Sequence, residues 1–294
     1  MNRIKQLFKK TLLFSCLGLG SLWVFSSCED FLDKSPLDAI GSDTELNATD
    51  AIALINSAYQ PLQWPKLYNM RMWTTDVIAS NSELGGEMTA TDGKETKDLA
   101  SFIATSDNSG SLDLWRGPNP GILRCNIVLN RLPAMENIDP AIKDRVMGEA
   151  HFLRAHYYFI LVRIFGDVPL RTEPVEPGDG LNIGRTPQEQ VYGQIIADCE
   201  QAIALLPPKS AYSSTDMGRA CKDAAIAMLA KIYLTLGSYS GAVSDYSKVV
   251  SLCEEIEGIG YDLSTMNYYD NFDPLIKNNA ESLFEIQYTV ATGY

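Results

Sequence analysis

The 294-residue sequence predicts a mainly α fold made of helices stacked in pairs, and three observations carry that prediction. Val146, Ala150, Leu153, Tyr157, Ile160, Leu161 and Ile164 recur at three- and four-residue spacing, which gathers them on one face of a long helix. Helix start and stop signals bracket this stretch and several others. Finally, Ile226, Leu229, Ala230 and Tyr233, followed by Ala242 and Tyr246, reproduce the spacing of a tetratricopeptide helix pair, with Gly237 in the turn between its helices. Small Ala230 and Ala242 let the paired helices approach closely, while Tyr233 and Tyr246 fill the wedge between neighbours. A single pair cannot bury both of its faces, so earlier pairs are expected to stack on it as a helical repeat scaffold.

In chain order, residues 28–46 read as an extended polar tether. A first helix is predicted over 50–60, with Asn47 or Thr49 available to cap it and Pro61 ending it. Residues 81–111 are rich in Gly, Ser, Thr and charge and poor in large apolar residues, which predicts a long surface loop of the kind that usually carries function. Helices follow over 121–132 and 140–165, the second stopped by Gly166. After a Pro- and Gly-rich connector, Thr186-Pro187-Gln188-Glu189 offers a cap, a proline at the first helical position and a capping-box glutamate for a helix reaching about Leu206. Pro207 and Pro208 stop it. Near the end, Phe284, Ile286 and Tyr288 alternate with Glu285 and Gln287, the pattern of a short half-buried strand. A strand that begins a pairing so close to the last residue leads us to expect that the domain spanning 47–294 is incomplete at its C-terminus.

The first 27 residues have their own logic. Arg3, Lys5, Lys9 and Lys10 precede an apolar run over 12–25 and no acidic residue accompanies them, which is the layout of a secretory signal. The run is interrupted by Gly18 and Gly20 and is shorter than the roughly 20 apolar residues that cross a bilayer, so cleavage is expected. Ser26 and Ser27 before Cys28 resemble a bacterial lipobox, in which the Cys28 thiol carries lipid. At about 0.8 kcal/mol per buried CH2, more than one acyl chain makes such an anchor stable. Glu29 and Asp30 resemble the acidic tether that directs some lipoproteins to the cell surface.

Without residues 1–27 the chain keeps 20 basic residues against 37 acidic ones, a net charge of −17. A surface that acidic repels nucleic acid, and no basic stripe offsets it. Cys125, Cys199, Cys221 and Cys253 lack metal-ligand or disulfide-framework spacing and read as small buried hydrophobes. His151 and His156 lie five apart, about 140° around a helix, so they form no zinc pair. Glu254 with Glu255 and Glu281 with Glu285 are carboxylate pairs in the sense needed for glycoside hydrolysis, but with so many acids a solvated face is the expected reading. Phe152, Tyr157, Tyr158, Phe159 and Phe165 read as core rather than as a sugar-stacking stripe. No nucleophile elbow, phosphate loop or dinucleotide motif is present, so no catalytic residue, metal or cofactor is assigned.

The segment GEAHFLRAHYYFILVRIFGDVPL at 148–170 closely resembles the hallmark helix of the SusD/RagB-type nutrient-binding outer-membrane lipoproteins, and CEDFLDKSPLD at 28–38 resembles their mature start. LWRGPNPGILRCNIVLNRLP at 114–133, GRACKDAAIAMLAKIYLTLGSY at 218–239 and ESLFEIQY at 281–288 match in the same order. The resemblance implies a SusD-like helical repeat scaffold anchored by lipid in the outer membrane and facing the cell exterior. It also implies a SusC-like TonB-dependent transporter as partner, for which the protein gathers oligosaccharide or another nutrient. Family members are longer, so the chain resembles their N-terminal part. Ligand contacts in the family come from a loop after the position matching Asp76 and another after the strand matching 284–288. The second placement makes Tyr294 the candidate ligand-binding aromatic. The first loop, 77–100, holds no Trp, Tyr, Phe or His, which argues against a starch-like, aromatic-stacked ligand. The alternatives to a nutrient-binding lipoprotein are a secreted helical-repeat scaffold binding only protein, and a glycoside hydrolase.

Overall fold

The computed structural model describes residues 46–69, 71–87, 91–175 and 183–288, so Cys28, Tyr294, the signal segment and the tether up to 45 lie outside the described residues. The chain divides into two units, Met1–Glu45 and Leu46–Tyr294. The helices of the second unit are α1 (Ala48–Tyr59), α2 (Thr74–Ile78), α3 (Lys94–Ala100), α4 (Ser109–Arg116), α5 (Pro118–Arg131), α6 (Pro140–Phe165), α7 (Gln188–Leu205), α8 (Lys222–Ser240) and α9 (Val243–Ile259). Among the described residues, no helix is long and apolar enough to cross a membrane.

Local chemistry starts these helices. Asn47 caps α1 by accepting from the Thr49 and Asp50 amides at 2.8 and 3.2 Å, and Asp50 accepts in return from the Asn47 amide, a complete capping box. Asp139 caps α6 by accepting from the Ala141 amide at 2.8 Å, ahead of Pro140 at the first helical position. The Thr186 cap expected for α7 is not formed. Thr186 instead bridges Val168 in an antiparallel pair, and the free amide of Gln188 is met at 2.8 Å by Asp167, which lies 21 residues earlier.

The 26-residue α6 is the axis of the unit, with α1, α5, α7 and α8 packed around it. The sequence predicts one apolar face, but from Gly148 to Val162 only His151 and His156 keep partial exposure, so the helix is enclosed on every side. Ile164 is the exception to the predicted face, exposed past the point where its neighbours cover the helix. Enclosure also buries charge. Arg154 donates from Nε and Nη2 to both carboxylate oxygens of Asp198 on α7 at 2.9 and 2.7 Å, and His151 Nδ1 stands 2.7 Å from the same carboxylate. Glu149, fully buried, lies between Arg219 at 3.2 Å and Arg145 at 3.7 Å. Tyr157 and Tyr158 satisfy their hydroxyls on the Ala58 and Arg171 carbonyls, which confirms the core reading of the helix's aromatics.

Four expectations need correction. Gly237 is inside α8, not in the turn: a Cβ there would sit 3.0 Å from the Tyr246 ring, so this glycine admits the ring from α9. The turn is made by Gly241 in the left-handed region at φ +66°, and Ala242, expected in the helix contact, is the half-buried residue before α9. Segment 284–288 forms no strand, since no described backbone pairs with it. Its alternation survives as packing, with Phe284 and Ile286 against the core and Phe284 edge-on to Phe152 at 5.0 Å. Among the cysteines, Cys125, Cys199 and Cys221 are buried and free, but Cys253 is exposed.

Candidate functional site

The described residues of 81–111, predicted to be loop, contain α3 and the start of α4, and buried polar groups hold these helices in place. Arg71 reaches both helices, donating from Nη1 to Glu95 at 2.7 Å and from Nε to Asp113 at 2.8 Å. The hydrogen bond from Arg71 holds the Glu95 carboxyl below its ordinary pKa, so the contact is an ion pair at neutral pH. Asn108 ties the same helices a second time, donating to the Glu95 carbonyl at 2.9 Å while its Oδ1 caps α4 through the Ser111 amide. Beneath α3, Thr96 meets Thr74 of α2 at 3.3 Å and Lys97, 4% exposed, donates to the Glu87 carbonyl at 2.9 Å. Polar burial of this kind gives no periodic apolar signal, which is why the sequence does not reveal these helices.

What the braced helix presents is unusual. The amides of Phe102 and Ile103 donate to the Leu99 and Asp98 carbonyls, which is the hydrogen-bond pattern of a Schellman cap with Phe102 at the left-handed position. Glycine is the ordinary occupant there. Phe102 instead adopts φ +57°, a conformation that costs an L-residue about 1–2 kcal/mol, and its side chain is 84% exposed. Ile103 beside it is 65% exposed. A bulky apolar residue both strained and turned into water is stabilised neither by its backbone nor by burial, and strain of this kind concentrates at functional sites. The chain then runs through Thr105, Ser106 and Asp107, exposed polar residues that follow Phe102 closely in sequence. An aromatic face exposed in this way can stack on the apolar face of a sugar.

The other candidate residues fall elsewhere. His156 accepts or donates at Nε2 with the Tyr68 hydroxyl at 2.8 Å, and burial, then Arg163 and Lys231, push its pKa down to about 4. With His151 on Asp198, each histidine has a structural partner. Glu281 receives the Asn271 amide and Glu285 the Asn278 backbone amide, so these carboxylates pin a local turn. Glu254 and Glu255 are solvent-exposed on α9. The ligand-loop window of 77–100 stops two residues short of Phe102, and no glycine at the cap draws attention to it.

Known proteins place this architecture. Residues 30–234 match the SusD-like family model described as "Starch-binding associating with outer membrane", a binding rather than a catalytic role. SusD-like protein P25 of Formosa agariphila is 25% identical over 287 residues, covering 94% of this chain and 50% of that protein. A SusD-like protein from Bacteroides fragilis superposes with a TM-score of 0.71 at 24% identity over 88% of this chain and 48% of its own. Surface glycan-binding protein A from Bacteroides thetaiotaomicron, solved in complex with laminarihexaose, superposes with a TM-score of 0.67 at 25% identity over 82% of this chain and 49% of its own. The chain spans about half the length of the relatives it matches. With the family model covering well over half of its residues and the helical architecture shared with these structures, the chain belongs to the SusD-like family.

Proposed function

We propose that this chain is part of a cell-surface lipoprotein that binds oligosaccharide without transforming it and delivers it to a SusC-like TonB-dependent transporter in the outer membrane. The observation that carries the binding step is Phe102, strained and exposed on a helix that Arg71 and Asn108 brace. The glycan-binding relative and its laminarihexaose complex support the ligand class. Laminarihexaose is therefore the first probe. Phe102→Gly should have opposite effects on fold and function. Removing the left-handed strain should raise stability by about 0.5–1 kcal/mol in urea denaturation, while loss of the ring should weaken laminarihexaose binding about tenfold by calorimetry. Unchanged binding with the strain relieved would move the site away from α3.

The anchor and partner lie outside the described residues and rest on the Ser26-Ser27-Cys28 motif and on the family's description as associating with the outer membrane. Cys28→Ala should shift the protein from the membrane to the soluble fraction, and persistent membrane fractionation would count against lipid at Cys28. Affinity purification of the wild-type lipoprotein should recover a TonB-dependent transporter. Recovery of soluble proteins alone would favour the protein-scaffold alternative. Tyr294 stays a proposed contact, to be compared with Phe102 as Tyr294→Ala in the same titration.

A further inference from the structure

The far end of α4 borders a concave feature. A groove of about 600 Å³ opens between the turn after α1, the junction of α4 with α5 and the segment that follows α6, a size typical of small-molecule sites. Among the described residues, its lining includes Trp64, Trp115, Lys66, Arg116, Arg171 and Glu173. Lys66 and Arg116 thus place two exposed cations at this groove of an acidic chain.

The groove is preorganised. Trp115 is fixed edge-on against Phe165 at 5.2 Å and 88°, and Trp64 has the Arg124 guanidinium against its ring at 5.4 Å. Arg124 is itself held by the Ser57 carbonyl at 2.7 Å and Gln60 at 2.9 Å. The opposite wall is irregular backbone, yet three side chains from the interior hold it. Asn126 donates to the Arg171 and Glu173 carbonyls at 3.1 Å each, Arg154 to the Thr172 carbonyl at 3.1 Å, and the Tyr158 hydroxyl both donates to the Arg171 carbonyl and accepts from its amide. Buried polar groups spent on a surface segment keep Glu173 and Arg171 in place before any ligand arrives. Lys66 and Arg116 stand exposed at the rim.

We propose that this groove is a second carbohydrate site, distinct from the α3 platform, and that its ligand is an acidic sugar: a hexuronate unit of an oligosaccharide. An indole takes the apolar face of the ring, Lys66 and Arg116 receive the carboxylate, and Glu173 accepts from hydroxyls. Guanidinium and ammonium donors to a carboxylate are about twice as strong as neutral hydrogen bonds, so charge rather than ring shape sets the preference. The inference rests on the reading of the chain as a carbohydrate binder, and the test separates the two.

The full chain is titrated by calorimetry, at low salt, with trigalacturonate and trimannuronate, each alongside its fully methyl-esterified form, in which a methyl group removes each carboxylate charge. At least one free acid should bind tenfold or more tightly than its ester, with the margin shrinking as salt is raised. Lys66→Gln with Arg116→Gln, both at exposed positions, should erase the margin while leaving the melting temperature in place. Phe102→Ala should leave the margin intact. Equal binding of acid and ester, a margin that survives the paired substitution, or a margin lost in Phe102→Ala would overturn the proposal. Laminarihexaose binding alongside any of these results leaves the carbohydrate-binding reading standing, and no binding of laminarihexaose or of any uronate probe removes that reading too.

Discussion

Asp198→Ala should cost about 3–5 kcal/mol in urea denaturation, because it strips the carboxylate partner from a buried guanidinium. Arg154 is 5% exposed and directs two nitrogens at Asp198 from the centre of the unit. Its remaining bonds, to Asn126 Oδ1 and the Thr172 carbonyl, leave the charge uncompensated once Asp198 is gone. Replacing both members by apolar residues of similar size, Arg154→Met with Asp198→Leu, should recover much of the loss, since the pair's own burial is expensive. A single-mutant cost below about 1 kcal/mol would show that water reaches the pair. The same contact gives a sign for pH. Burial raises the Asp198 pKa, but hydrogen bonds from His151 and Arg154 more than offset it and hold the carboxyl below its ordinary 3.8. The contribution is therefore complete above the ordinary carboxylate range and is lost as pH falls through the depressed value.

Gly121→Ala should destabilise by about 2–3 kcal/mol, although alanine is the better helix former by about 0.5–1 kcal/mol. The added Cβ would fall 2.2 Å from Tyr157 Cε2, across the contact of α5 with α6. The ring cannot swing aside, because it is fully buried and its hydroxyl is tied to the Ala58 carbonyl of α1 at 2.7 Å. Gly121→Ala combined with Tyr157→Leu should be less damaging than the sum of the two single changes, a coupling that a double-mutant cycle measures directly. Additive costs would mean that the helices separate instead of sharing the clash.

The parts of the fold legible in the sequence are those whose determinants are local. Asn47 with Asp50, Asp139 with Pro140, and Gly166 each act within one helical turn, so α1 and α6 begin or end where their residues say. Determinants from afar are not legible. The α7 amide is capped from Asp167, 21 residues back, and α3 stays ordered through an arginine on the segment before α2. The repeat pattern places the right two helices, but its spacing cannot distinguish a glycine that makes a turn from one that admits a tyrosine, and Gly237 and Gly241 exchange those roles. The candidate site is the least legible, since Phe102 is conspicuous only through its φ and exposure, and neither is a property of residue type.

The enclosure of α6 has a kinetic consequence. Amide protons between Gly148 and Val162 sit in a helix whose neighbours cover every side, so they can reach solvent only when the whole unit opens. Their exchange with deuterium should report the global unfolding free energy. The amides of α9, which buries none of its residues, should exchange through local fraying alone. Opening then proceeds as a gradient from α9 toward α6, and the segment bearing the family's hallmark is the last to give up its protons.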